Sequence, residues 1–114
     1  MPDCLFCRIA RGDVAANIAY RDDELVAFHD INPQAPIHLL VIPIRHIESL
    51  LQLQEGDHAL VGRLYALAAR LATDLGVAES GFRVIINTNR DAGQTVPHLH
   101  LHLMGGRTMS WPPG

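Results

Sequence analysis

The chain has no lysine; all nine of its basic residues are arginine. That absence excludes a Schiff-base lysine, a phosphate-loop lysine and any lysine nucleophile, and otherwise reads as composition bias. No apolar run approaches the ~18 residues that a membrane-spanning helix needs. The opening Met1-Pro2-Asp3-Cys4 has neither a basic n-region nor an apolar h-region, so no signal peptide is expected and the chain reads as cytoplasmic. There is no basic stripe, and net charge is -3 with a pI near 6.1. A nucleic-acid polymer or a membrane is therefore not an expected partner, and any phosphate ligand should be small and held locally. Repeats, low-complexity tracts and linkers are also missing. Only two cysteines occur, spaced Cys4-x-x-Cys7. In a reducing compartment that spacing suggests metal binding or redox work before a structural disulfide.

At 114 residues with 48% hydrophobic content, one domain over 1–114 with a real core is expected. So small a chain has a high surface-to-volume ratio, and dimerisation would bury more of it. The coarse pattern predicts a short helical turn over 4–11 ended by Gly12, a hairpin of strands 17–21 and 24–29 about Asp22-Asp23, and a loop through Asn32-Pro33-Gln34-Ala35-Pro36. Ile37 to Ile42 reads as a central strand, and 47–53 as a helical turn. One convincing helix follows, with Asp57 as N-cap; Leu60, Leu64, Leu67, Leu71 and Leu75 form its stripe and Gly76 its stop. Gly81 to Asn87 reads as a strand, 88–97 as a loop, and 105–114 as an irregular tail. Five strands, one main helix and hairpin-type connections argue an α+β fold with a mostly antiparallel sheet.

The densest signal lies at 98–103, where His98, His100 and His102 alternate with Leu99, Leu101 and Leu103. Alternation of this kind marks a strand whose two faces differ. The leucines should face a core and the three imidazoles the other side. Near neutral pH an imidazole can be nucleophile, proton donor or metal ligand. Attack on phosphorus needs one bare ring nitrogen, with the other held by an acceptor so that the tautomer is fixed. A solvated polar face is the bland alternative, and His58, amid polar residues at a helix start, reads as solvated.

The segment Gly93-Gln94-Thr95-Val96-Pro97-His98-Leu99-His100-Leu101-His102-Leu103-Met104 resembles the histidine triad family, whose motif alternates three histidines with apolar residues. Phe28-His29-Asp30-Ile31, Gln34-Ala35-Pro36 and His38-Leu39-Leu40-Val41-Ile42-Pro43 look like that family's upstream blocks. The ending Trp111-Pro112-Pro113-Gly114 looks like its Hint branch, the purine nucleoside phosphoramidases. The resemblance implies a homodimer whose sheet continues across the two-fold axis. It also implies hydrolysis of nucleoside 5′-phosphoramidates (AMP-amine or AMP-lysine type) and related adenylates through a nucleotidyl-histidine, without a catalytic cofactor. The implied substrates are purine nucleotides such as AMP, GMP and adenosine phosphoramidates.

By the same resemblance His100 is the nucleophile, and His102 and His38 donate to the phosphate oxygens. The Gln94-Thr95 loop adds donors, and the Thr95 hydroxyl, where many relatives carry serine, can deliver a proton to the leaving amine. Phe6, Ile9, Val14, Phe28 and Ile31 would form the nucleoside slot, although each also suits ordinary core packing. Asp30 matches a ribose-binding acid, His29 beside it shapes the ribose pocket through its backbone, and Asn87 matches a residue beside the phosphate. Relatives with both cysteines hold zinc through that pair and the positions of His46 and His98, whereas others lack the metal. A Cys₂His₂ set is closed and hence structural, pinning the N-terminal segment to the catalytic strand. Two reduced, buried thiols are the competing reading; a thioredoxin-like role is disfavoured because Cys4 follows no strand. In Hint proteins the tail reaches toward the partner's active site, and a tail packed on its own subunit is the alternative.

Other functions stay open at this point. They are a metal-dependent hydrolase or oxygenase ligated by His98, His100 and His102, a nucleotide-binding regulatory module with weak activity, and a dinucleoside polyphosphate hydrolase.

Overall fold

The computed structural model describes residues 4–114. Met1, Pro2 and Asp3, on which the reading of the N-terminal leader largely rests, lie outside the described residues. The architecture is a five-stranded antiparallel sheet covered by a short helix on one face and a long one on the other. The sheet order is β1-β2-β3-β5-β4, from β1 (Ile18–Arg21), β2 (Leu25–His29), β3 (Ile37–Pro43), β4 (Phe82–Ile85) and β5 (Leu101–Gly105). Helix α1 spans Leu5–Arg11, α2 spans His58–Asp74, and a four-residue turn of helix, α3 (Asn89–Ala92), falls inside the segment expected to be loop. No helix among the described residues is long and apolar enough to cross a membrane.

Local chemistry sets these elements. Cys4 caps α1, its sulfur accepting from the Cys7 N–H at 3.4 Å, and Gly12 ends it with φ 82°, a left-handed conformation that glycine adopts without steric cost. The Asp22 carboxylate accepts from the N–H groups of Glu24 and Leu25 at 2.7 and 2.8 Å and so closes the β1–β2 hairpin. Asp57 precedes α2 without capping it. Its carboxylate turns back to the Gln54 N–H and to Arg45, and a 3-10 turn over Glu55–Asp57 leads into the helix. Leu75 is likewise the C-terminal cap residue, 36% exposed; the buried stripe of α2 ends at Leu71 and Ala72.

β3 is central and buried on both faces, which is why its sequence is an almost unbroken apolar run. Leu39 and Val41 join Leu25, Ala27, Leu101 and Leu103 beneath α2, where Leu60, Leu64, Leu67 and Leu71 pack. On the other face Leu40 and Ile42 join Val26 and Phe28 beneath α1, against Phe6, Cys7, Ile9 and Ala10. The leucine–histidine alternation therefore divides one core from another, and the histidine face is covered by α1.

The ladder of β5 begins at Leu101, so His98 and His100 precede it. Pro97 has no N–H to donate, and the next amide, His98 N–H, turns to the Val96 carbonyl at 2.8 Å. The Leu99 N–H then bonds the Ile47 carbonyl at 2.6 Å, tying this stretch to the chain beyond β3. Alternation survives without the ladder, because Leu99 joins the core beneath α2 while the His98 ring stands 6.0 Å from Phe6 of α1. β4 ends at Ile85, two residues short of Asn87. Trp111 is 81% exposed on the protomer, so its ring is not packed on its own subunit.

Leu64 has no solvent exposure and faces the sheet far from the histidines. Leu64→Ala is expected to lower unfolding free energy by about 3 kcal/mol, read from urea denaturation.

Candidate active site

Four imidazoles meet where β3 and β5 run side by side. Leu40 pairs with His102 and His38 with Met104, so His38 and His102 project diagonally from the same face. Their rings touch, His38 Nε2 lying 2.9 Å from His102 Nδ1. The His100 ring stands 5.0 Å from that of His102 and 5.0 Å from Phe6 of α1, edge-on to both.

Fixed backbone groups decide which nitrogen of each ring holds the proton. An amide N–H can only donate, and the Gln34 N–H lies 2.9 Å from His38 Nδ1. Neutral His38 therefore carries its proton on Nε2 and donates it to His102 Nδ1. Neutral His102 must then carry its proton on Nε2. A carbonyl can only accept, and the His98 carbonyl lies 2.7 Å from His100 Nδ1. His100 Nδ1–H donates to it, leaving Nε2 with a bare lone pair. His98 obeys the same rule in reverse, Nε2–H donating to the Pro43 carbonyl at 2.8 Å and Nδ1 left bare. The site so holds one bare nitrogen on His100 beside one N–H donor on His102.

Burial keeps the rings neutral. Desolvation pulls the pKa values of His100 and His38 below the ordinary histidine value, with Asp30 opposing the effect at both and the His98 carbonyl also opposing it at His100. Burial, reinforced by the neighbouring His100 and His38, takes His102 to about 4. Asp30 lies at the end of β2. One carboxylate oxygen accepts from the Asn32 N–H at 2.9 Å, and the other is 3.5 Å from His38 Nε2.

These groups open into a cleft of about 390 Å³. Its apolar wall includes Phe6, Ile9, Val14 and Phe28, with His29, Asp30 and Ile31 on one side and Thr95, His100 and His102 at the end. Phe6 and Phe28 meet edge to face at 5.5 Å. Ile31 sits on the rim, 98% exposed. Asn87 and Gln94 do not line the cleft. The Gln94 carboxamide is committed within its own region, donating to the Glu48 and Val96 carbonyls at 2.7 and 3.1 Å and accepting from the Asn89 N–H at 2.9 Å. It staples the loop that presents Thr95. Sequence reading did not identify Leu40 and Val96 as lining residues, or the Gln34 N–H. Leu40 was discoverable, since it shares a face with His38 at spacing two. A backbone amide carries no residue-type signal.

A second cluster lies behind the first. Cys4, Cys7, His46 and His98 bring one ligand atom each within 4.8 Å of one another. Cys4 Sγ is 3.3 Å from His98 Nδ1, and Cys7 Sγ is 3.5 Å from that nitrogen and 3.3 Å from His46 Nδ1. Tetrahedral zinc with ordinary Zn–S and Zn–N bonds needs S···N edges of about 3.5 Å, so the donor set fits the ion in type and spacing. Two thiols donating to Nδ1 of His98 and Nδ1 of His46 would satisfy the same atoms. Burial and the adjacent Cys4 raise the Cys7 thiol. His98 thus turns its free nitrogen toward the cysteines while His102 turns toward His38. The three alternating histidines do not converge on one metal position. The other close group, Asp30, His38 and His102, holds a proton on His38 Nε2, where a metal would need a lone pair.

The fold and histidine array are those of one family, and the chain belongs to it: the HIT domain family model matches residues 11–109. An uncharacterized HIT-like protein of Synechocystis sp. is 48% identical, the match covering 98% of this chain and 97% of that protein. A purine nucleoside phosphoramidase of Escherichia coli (strain K12) is 42% identical over 94% of this chain and 90% of its own length. Among solved structures, a HIT family hydrolase from Legionella pneumophila superposes with a TM-score of 0.97 at 46% identity, covering 98% of this chain and all of that one.

The depressed pKa of His102 makes a stability statement. Above about pH 6.5 the ring is neutral folded or unfolded. Between there and about 4 the unfolded chain binds the proton and the folded one does not, so stability falls as pH falls through this window. Melting temperature is expected to drop on going from pH 7 to 4.5, and His102→Gln, which cannot titrate, is expected to flatten that slope.

Proposed function

We propose that this protein is a single-domain nucleotide hydrolase of the purine nucleoside phosphoramidase type, splitting nucleoside 5′-phosphoramidates and related adenylates through a nucleotidyl-His100 intermediate. The reading rests on one observation above the others. His100 Nδ1–H is held by the His98 carbonyl, which leaves Nε2 as a bare, neutral nucleophile at the end of a cleft the size of a nucleoside. The name of the Escherichia coli relative supports the reaction class.

In this reading the base lies among Phe6, Ile9, Val14 and Phe28, with Ile31 at the rim, and AMP, GMP and adenosine phosphoramidates are the substrates expected. The Asp30 carboxylate and the chain at His29 hold the ribose. Nε2 of His100 attacks phosphorus in line, the N–P bond forms, and the bond from phosphorus to the amine breaks. The amine leaves with a proton from a nearby donor, for which the Thr95 hydroxyl is the candidate. His102 Nε2–H, backed by His38, donates to a phosphoryl oxygen as charge builds there. Water then displaces His100 from phosphorus, returning a proton to the donor that protonated the amine, and releases the nucleoside 5′-monophosphate. Gln94 acts by holding the loop. These steps use only side chains and water.

The protein is further proposed to be a cytoplasmic homodimer whose sheet continues across the two-fold axis. The exposed Phe82 on the edge strand β4 and the exposed Trp111 support the dimer. Zinc held by Cys4, Cys7, His46 and His98 would be structural, with all four positions taken by protein. It would fix α1, hence Phe6 and Ile9, to the segment bearing His100.

His100→Ala is expected to lose turnover by roughly 10³-fold or more while retaining AMP binding. Mass mapping of a quenched reaction with labelled adenosine phosphoramidate should find the label on His100 in the wild type. Retained turnover, or label on another residue, rejects the mechanism. Cys4→Ser is expected to lower melting temperature by about 5–10 °C with a smaller effect on rate. Equal thermal stability with and without chelator removes the zinc proposal.

A further inference from the structure

The tautomer of His38 hangs on the N–H of Gln34, an exposed residue in a loop with little internal support. Pro33 and Pro36 have no N–H to contribute. Within the loop the bonds are the Asp30 carboxylate accepting from the Asn32 N–H and the Gln34 side chain donating to the Asn32 carbonyl at 3.1 Å. Neither of them uses the Gln34 N–H or carbonyl.

The Gln34 carbonyl, on the peptide unit next to that N–H, is held from the far end of the chain. Arg107 Nε donates to the Gln34 carbonyl at 2.9 Å, and Arg107 Nη1 donates to the Thr108 carbonyl at 3.1 Å. The two residues are 73 positions apart in sequence. Just before Arg107 the chain presses on the same loop. Gly106 has φ 91°, and a Cβ there would come within 3.0 Å of Pro36 Cβ. Only glycine permits both that conformation and that approach. Gly105, the last residue of β5, is packed just as closely, a Cβ there meeting Val77 at 2.9 Å. The end of β5 is thereby fixed, and Arg107 is delivered to Gln34 from a rigid support.

We infer that Arg107 is a positioning residue that sets the direction of the His38–His102 hydrogen bond by clamping the Gln34 backbone. The inference rests on the catalytic reading given above for His102. The chain of contacts runs Arg107 to the Gln34 carbonyl, the Gln34 N–H to His38 Nδ1, and His38 Nε2–H to His102 Nδ1. With the clamp in place, His102 presents an N–H to the cleft. Once the Gln34 N–H turns away, His38 is free to carry its proton on Nδ1 and to accept at Nε2. His102 then donates from Nδ1 and presents a bare lone pair at Nε2. A lone pair facing a phosphoryl oxygen repels it, so the two arrangements are an active and an inactive setting of the same atoms. The one bond lost is that from His102 Nε2–H to a phosphoryl oxygen, which matters most as charge builds there in the transition state. The effect should therefore fall on the chemical step more than on nucleoside binding.

The experiment uses ¹⁵N-histidine-labelled full-length protein without ligand, in which nitrogen chemical shifts separate protonated from bare ring nitrogens. In Arg107→Ala the His38 and His102 nitrogens are expected to shift toward a mixture of the two tautomers. Its kcat should fall about tenfold with KM changed less than about twofold. Arg107→Lys, which keeps a donor for the Gln34 carbonyl, is expected to retain the wild-type nitrogen pattern and most of the rate. An Arg107→Ala protein with the wild-type nitrogen pattern overturns the inference, whatever its rate. The spectra need no substrate, so a failure of the nucleophile assignment would be seen separately, in His100→Ala turnover, with the nitrogen result still decisive for the clamp.

Discussion

The structure turns on the direction of a few hydrogen bonds to imidazole. A neutral histidine ring has one proton and two nitrogens, and in water it exchanges freely between its two tautomers. Here the rings of His98, His100 and His38 are each held by a partner that can only give or only take. The His98 carbonyl takes from His100, the Gln34 amide gives to His38, and the Pro43 carbonyl takes from His98. His102 has no backbone partner of its own and inherits its state from His38. Backbone groups neither titrate nor change rotamer, so the pattern lasts for as long as each of these groups is kept in place. The outcome is a bare nitrogen and an N–H side by side, the pair that attack on a phosphoryl group requires.

That pattern works only while the rings stay neutral, and helix α1 sees to it. It lies across the histidine face, with Phe6 5.0 Å from the His100 ring and 6.0 Å from that of His98. A charged imidazole under this cover would lack water, so protonation is disfavoured. The same helix supplies the apolar wall of the cleft, and its cap residue is one of the sulfurs facing His98. Seven residues of helix would hold poorly in isolation. Anchorage through Cys4 and Cys7, by metal or by thiol hydrogen bonds, is what lets so short an element act as both lid and wall.

Much of this was legible in the sequence because β structure has a period of two. The alternation through 98–103 separated the leucine core from the imidazoles, and the prolines bounding Ile37–Pro43 marked the central strand. The five strands and their antiparallel order follow from short hairpin-type connections and one long helix. Legibility stops where geometry is set by the main chain. Strand β5 starts at Leu101 because of what the amides of His98 and Leu99 bond to, and residue identity does not encode that. Asp57 looks like a helix cap and is instead the partner of Arg45 and the Gln54 N–H. Gln94 reads as a donor for phosphate, yet its carboxamide is used up as a loop staple. In each case a polar side chain had two acceptable local uses, and contacts distant in sequence chose between them.

The same distant contacts explain why the histidine segment can be both precise and buried. β5 pairs with β3 on one side and β4 on the other, so its backbone is held by two ladders while its side chains divide two cores. Leu101 and Leu103 anchor it from below with no solvent exposure. His102 therefore sits near the start of a strand paired on both sides, and His100 just outside the ladder, where the His98 carbonyl receives its Nδ1–H. Had the ladder continued back through His98, its own carbonyl would have been drawn toward a neighbouring strand. The Pro97 interruption keeps that carbonyl available to the His100 ring. A ladder that starts only at Leu101, behind Pro97, thus leaves His98 and His100 outside it and the His98 carbonyl free to hold the tautomer of His100.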